Sequence, residues 1–165
     1  MDAECLKKGE RILANGGALG DTSGRTKNLG EKSVFALASN KFEFTVIMFS
    51  SEKKKIFPKL DRKHGEKRAQ AIMHTVKIYY AIKEYIKNCP SFHICNDGFN
   101  EGLLKHYLRE FLKGNFHEHK INFGSLRKMF GKHNIADRLA RRVNKEGKKA
   151  TLILTERHFL ELKLI

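Results

Sequence analysis

Phe92-His93-Ile94-Cys95-Asn96-Asp97-Gly98-Phe99-Asn100 is the stretch that decides the architecture of this chain. Four residues, Phe92 to Cys95, lie between Pro90 and the turn pair Asp97-Gly98, and read as a short, buried strand. Upstream, over 66–88, Ala69, Ile72, Met73, Val76, Tyr79, Tyr80 and Ile86 recur at helical spacing, while Lys67, Lys77, Lys83 and Lys87 fall largely off that stripe. Downstream, Asn100 is placed to cap a second helix carrying Leu103, Leu104, Tyr107, Leu108, Phe111 and Leu112 on one side and closing at Gly114. A strand set between two amphipathic helices is the pattern of an α/β protein.

Working outward, 34–38 and 42–49 read as two β-rich strands joined by Ser39-Asn40-Lys41, and 53–60 as a basic edge strand stopped by Pro58. The opening segment 1–30 is glycine-rich: Arg11 to Ala14 is expected to begin a strand, and Asp21-Thr22-Ser23-Gly24 to turn. Beyond the second helix, 119–123 and 151–154 read as strands. Residues 125–130 and 135–144 read as helices, separated by Gly131 and with Asn134 as a cap. We expect one domain over 1–165, a mixed sheet with helices packed against it, made of the Gly-rich segment 1–30 and a basic body 31–165.

With 165 residues, 41% hydrophobic and 31% charged, the chain is globular in composition and long enough for one real core. No apolar run approaches the roughly 20 residues of a membrane span, and the opening Met1-Asp2-Ala3-Glu4-Cys5-Leu6-Lys7-Lys8 has no apolar signal core, so a cytoplasmic protein without a membrane partner is expected. Cys5, Cys89 and Cys95 form no C-x-x-C pair and suit a reducing compartment.

The net charge is +15, and it is unevenly placed: residues 1–50 carry seven Lys/Arg against six Asp/Glu, the rest 26 against 12. A general enrichment in charge would raise Glu with Lys, and it does not. A one-signed field points to a polyanionic partner, nucleic acid first, with DNA and RNA both open.

In so basic a chain the acids at strand and helix ends stand out. Asp97 follows a strand directly and is expected at the carboxyl edge where ligands of open α/β sheets gather; as one half of an Asp-Gly pair it equally reads as a turn residue. Asp137 opens a helix whose buried stripe is Ile135, Leu139 and Val143, which sets it laterally among Arg138, Arg141 and Arg142. Asp21 is a third acid in a glycine-bracketed turn. Carboxylates converging on one edge would hold Mg²⁺ or Mn²⁺, since hard cations take oxygen ligands, and such ions assist phosphodiester hydrolysis. Glu101 reads as a first-turn charge serving the helix dipole. His117 and His119 read as a solvated pair, and His133 is placed for acid–base work near Asp137.

These motifs, Asp21-Thr22-Ser23-Gly24, Phe92-His93-Ile94-Cys95-Asn96-Asp97-Gly98 and Asn134-Ile135-Ala136-Asp137-Arg138-Leu139-Ala140-Arg141, resemble the ribonuclease-H-like superfamily. They are most similar to uncharacterised members with an Asp-Glu-Ser-Gly turn and a late Ala-Asp helix motif. The resemblance spans roughly residues 10–145 and implies a ribonuclease-H-like fold with Asp21, Asp97 and Asp137 as metal-binding, catalytic carboxylates of a divalent-metal-dependent nuclease. Thr22 stands where that group has its glutamate, and no glutamate of the long helix supplies a further ligand, so the implied site does not require activity. The alternative is a non-enzymatic DNA/RNA-binding module: 125–144 as a helix-turn-helix-like unit, 148–165 as a wing, and Arg138, Arg141, Arg142, Lys148 and Lys149 on the nucleic acid.

The charge distribution generates a first prediction. Binding to nucleic acid should show little sequence preference and fall by roughly a thousandfold between about 50 and 200 mM salt if about six phosphates are contacted. Fluorescence anisotropy across a salt series checks it; a flat titration contradicts it.

Overall fold

The computed structural model describes residues 3–165, with side chains from Lys7 onward; the side chain of Cys5 and the residues before Ala3 lie outside that description. In chain order the elements are α1 (Ala3–Ala14), β1 (Ala18–Ser23), β2 (Ser33–Ala38), β3 (Glu43–Met48), α2 (Ser50–His64), α3 (Glu66–Ile82), β4 (Phe92–Cys95), α4 (Glu101–Leu112), β5 (Ile121–Gly124), α5 (Leu126–Phe130), α6 (Ile135–Lys145), β6 (Leu152–Ile153) and α7 (Glu156–Glu161). The strands form a single mixed sheet in the order β5-β4-β1-β2-β3-β6. Only β2 is reversed: β1 pairs antiparallel with β2 and β2 with β3, whereas β1–β4, β4–β5 and β3–β6 are parallel. The protein is thus α/β, and this order is compatible with a ribonuclease-H-like arrangement. One consequence matters for function: the carboxyl ends of β1, β4 and β5 share an edge.

Helices cover both faces. One core joins Phe35, Met48, Phe92 and Ile94 of the sheet to Ile56 and Leu60 of α2, Ile72, Met73 and Val76 of α3, Leu108 of α4 and Phe159 of α7. The other joins Leu19, Val34 and Ile47 to Leu126 and Phe130 of α5 and to Ala136, Leu139, Ala140 and Val143 of α6, with Ile12 and Leu13 of α1 packed on it. The short strand Phe92–Cys95 and the Asn100 cap, whose side chain accepts from the Leu103 N–H, are as the sequence predicts. Gly20 permits close packing in β1: a Cβ there would lie 2.6 Å from Phe35 Cζ. Among the described residues no helix is long and apolar enough to cross a membrane.

Four segments differ from expectation, each for a physical reason. Residues 53–60 belong to a helix, because Lys53, Ile56 and Leu60 bury one helical face against α3. Pro58 sits inside that helix but is exposed, so the carbonyl its ring leaves unbonded can turn to water. Arg11 to Ala14 are the last turn of α1. Gly16, at φ 85°, and Gly17 return N–H groups to Leu13 and Ile12 carbonyls, a glycine helix stop. Asp21-Thr22-Ser23 is strand, with Asp21 opposite Ala36, and the chain turns only at Gly24. The segment 148–165 forms no wing: β6 joins β3, and α7 packs on α2.

Gly20→Ala should destabilise the protein by about 1–3 kcal/mol through overpacking against Phe35. Urea unfolding measures it; an unchanged midpoint would show that the ring has room to move.

Candidate functional site

Side chains alternate along a strand, so Asp21 shares a face with Leu19 and Ser23. That face is the α6 face: Leu19 packs in the α6 core and the Ser23 hydroxyl accepts from Asn144 of α6 at 3.0 Å. The helix meets Asp21 through its own cap. The Asn134 side-chain oxygen accepts from the Asp137 backbone N–H at 2.9 Å, and its amide nitrogen donates to Asp21 Oδ2 at 3.1 Å. The N–H of Thr22 donates to Asp21 Oδ1 at 2.8 Å.

Asp137 is itself buried, with 9% of its surface exposed. Its Oδ1 accepts from Arg141 Nε at 3.3 Å. Its Oδ2 lies 3.3 Å from the same nitrogen, as an ion pair, and 3.8 Å from His133 Nδ1, beyond hydrogen-bond reach, so among the described residues this buried oxygen has no hydrogen-bond partner. Burial first, and the neighbouring Asp137 charge after it, hold the Asp21 carboxyl above the usual range, against the opposing bonds from Asn134 and Thr22. Cys95, also on this side of the sheet, has its thiol pushed up to about 12 by burial and by Asp21 and Asp97.

Asp97 keeps different company. It stands in left-handed backbone at φ 49°, followed by Gly98 at 76°, and its Oδ2 accepts from the Thr26 N–H at 3.4 Å. Its charge acts on three basic groups, Lys53, Lys77 and His74. Lys77, fully buried on α3, donates to Thr26 Oγ1 at 2.6 Å and Ser33 Oγ at 2.9 Å. Lys53, fully buried on α2, donates to the carbonyls of Arg25 and Asn28 at 2.9 and 3.0 Å. Burial lowers Lys77 to about 7, with Lys53 adding to the fall and Asp97 opposing it, and lowers Lys53 to about 8. His74, lowered to about 4, is neutral at pH 7. Its Nε2 lies 3.3 Å from the Cys95 carbonyl and its Nδ1 3.5 Å from Thr26 Oγ1, which fixes the Nε2–H tautomer. Together these groups strap the loop 24–32 onto the α2–α3 face.

The edge therefore carries two clusters: Asp21, Asp137 and Asn134 toward α6, and Asp97 with buried cations toward α3. Among the described residues no group of three or more His, Cys, Asp or Glu side chains is placed to hold a metal ion. Of the basic residues singled out in the sequence, Arg138, Arg141, Arg142, Lys148 and Lys149 are all exposed. Arg141 leans on Asp137, Lys148 bridges to Glu43 at 3.1 Å, and the other three form no ion pair among the described residues. Glu101 pairs with Lys105, and His117 and His119 are exposed. Sequence reasoning missed Lys77, Lys53 and His74. The signal for Lys77 was present, since it lies four residues after Met73 and three before Tyr80, on the buried stripe rather than off it.

Comparison with protein-family models, curated proteins and solved structures finds no match for this chain.

Because the Lys77 ammonium titrates near 7 when folded but at its ordinary 10.5 when unfolded, the unfolded chain binds more protons between those values. The stability this group permits therefore rises with pH across that window. Wild type should gain thermal stability relative to Lys77→Met on going from pH 7 to pH 9. Parallel melts at the two pH values check it, and a constant difference between the proteins would refute it.

Proposed function

We propose that this protein processes nucleic acid as a phosphodiester hydrolase, with Asp21 and Asp137 holding one divalent cation against a backbone phosphate. The observation that carries the reading is Asp137 Oδ2, a buried carboxylate oxygen that accepts no hydrogen bond from the described residues and has Arg141 only as an ion-pair neighbour at 3.3 Å, beside a second carboxylate. Burying an unsatisfied charged oxygen is costly, and two carboxylates brought together repel, so a cation between them relieves both. The donor set fits Mg²⁺ or Mn²⁺: all oxygen, and only two carboxylates, which suffices because Mg²⁺ keeps several waters and takes further ligands from substrate phosphate. When bound, such an ion supplies Lewis-acid polarisation of the phosphate and a more acidic water.

The chain's own residues account for the rest. Asn134 orients Asp21 by donating to one of its oxygens and anchors the start of α6 at the same time. Arg141 donates to Asp137 Oδ1 and lies equally near Oδ2 as an ion pair, so it holds the carboxylate while Oδ2 accepts no hydrogen bond from the described residues. His133 is exposed, with Nδ1 toward Asp137, so Nε2 is the nitrogen available to accept a proton from an attacking water. Arg138, Arg142 and Lys149, exposed on and after the same helix and without an ion pair among the described residues, supply positive charge for the phosphate backbone. Asp97 enters as the counter-charge of Lys53 and Lys77, fixing the loop beside the site. A helix-turn-helix reading is less well supported, since α5 has only five residues and α6 spends its apolar stripe on the sheet.

Asp137→Asn should lose at least about a hundredfold of Mg²⁺- or Mn²⁺-dependent cleavage while binding nucleic acid as wild type does, because it removes charge but keeps shape. Asp97→Asn should cleave and be less stable. Cleavage assays on single- and double-stranded substrates with all three proteins decide the matter. No cleavage by wild type, or cleavage by Asp137→Asn at the wild-type rate, contradicts the proposal.

A further inference from the structure

Next to the carboxylate pair lies a cavity of about 280 Å³ between α1, β1 and the start of α6. Its floor and walls are apolar: Leu19 of β1, Leu13 of α1, Phe130 of α5 and Ile135 of α6. Its mouth is polar, with Glu10, His133 and Arg138 around it. The cavity is firmly built. Gly9 is buried so close to Phe130 that a Cβ would come within 3.0 Å of its ring, and His93 meets that ring edge-on at 5.8 Å. α1 is thereby held close against Phe130.

Position gives the cavity its meaning. Asn134 lines it and also donates to Asp21, so cavity and carboxylate pair share a wall. Leu19 and Asp21 are alternate residues on one strand face, about 7 Å apart along β1. An apolar cavity with Glu10, His133 and Arg138 among its lining, one short step from the carboxylate pair, suits a nucleotide whose base enters the cavity and whose phosphate lies at the carboxylates. The rim cations Arg138 and, when protonated, His133 complement the strand's charge. The larger cavity of about 530 Å³ beside Tyr80, with Lys83, Arg157, Glu84 and Glu161 around it, lies against the other core, on the face of the sheet away from Asp21 and Asp137.

We propose that this cavity takes one unpaired base of a single-stranded nucleic acid whose backbone phosphate lies at Asp21 and Asp137. This rests on the nucleic-acid reading above and goes beyond it by specifying a single strand and a base subsite. A base held in a duplex stack cannot enter a slot of this kind, so single strands, or duplexes with an extruded nucleotide, are the substrates. Apolar and stacking contact of one base is worth about a tenfold or larger gain in affinity.

The test compares a ten-nucleotide oligothymidylate with an abasic ten-mer of the same phosphate count, using wild type, Leu13→Trp and Ile135→Trp. Both substituted positions are only partly buried, and each tryptophan fills the slot from a different wall. Wild type should bind the base-bearing strand about tenfold more tightly than the abasic one. Each tryptophan variant should bind both strands at the abasic level, with a wild-type circular dichroism spectrum as the folding control. Equal affinity of the two strands for wild type overturns the base subsite while leaving nucleic-acid binding intact. Retained preference in both folded tryptophan variants overturns it as well. Binding of neither strand at low salt removes the nucleic-acid reading and the subsite together. Thymidine monophosphate binding more tightly than the oligomer would assign the slot to a free nucleotide and overturn the strand proposal.

Discussion

One side chain holds the candidate centre together. Asn134 accepts from the helix N-terminus with its oxygen and donates to a strand carboxylate with its nitrogen, and each bond dictates the other. An asparagine cap is an ordinary local device, worth about 1 kcal/mol to a helix. Here it also sets the register of α6 against β1, because the amide can reach Asp21 only if the helix begins where it does. Asp137, three residues on, is thereby brought to Asp21 across 116 positions of sequence. The fold brings two carboxylates into a poorly solvated corner and, among the described residues, leaves one of their oxygens without a hydrogen bond, with Arg141 its ion-pair neighbour. Such an arrangement costs stability unless something positive completes it.

The α3 side of the same edge solves the opposite problem. There two ammonium groups are buried, and their neighbours are loop carbonyls, hydroxyls and the charges of Glu31, on Lys53, and of Asp97, on both. The loop 24–32 is folded down by these bonds. On the α3 side the protein supplies its own cations; on the α6 side it presents carboxylates. That division explains why Asp97, a carboxylate at the end of β4, does not join the other two in one cluster.

Much of the fold is legible in the sequence where local signals agree. The strand from Phe92 is apolar, short and bounded by Pro90 and Asp97-Gly98, and the helix after it carries its own cap. Legibility fails where one signal has two physical readings. Asn15-Gly16-Gly17 is a poor strand and a good helix stop, and only the helix before it tells which applies. Pro58 breaks a strand ladder, yet an exposed proline within a helix that buries its other face costs little enough to be kept. Lys77 lies on the apolar stripe, but its charge assigns it to the surface until the hydroxyls of Thr26 and Ser33, distant in sequence, are seen around it. For the site, the residue types and their element ends point to Asp21, Asp97 and Asp137 individually. How they group depends on which face of the sheet each side chain takes, and for Asp97 that is settled by a turn in left-handed backbone that periodicity does not reveal.

The central claim is that Asp21 and Asp137 form a centre for one cation, separate from Asp97. Counting bound Mn²⁺ by electron paramagnetic resonance tests it most directly, in wild type, Asp21→Asn, Asp137→Asn and Asp97→Asn. One ion per chain is expected in wild type and in Asp97→Asn, and none at matched concentrations in the other two. Two ions in wild type, or loss of the ion in Asp97→Asn with retention in Asp137→Asn, would contradict it.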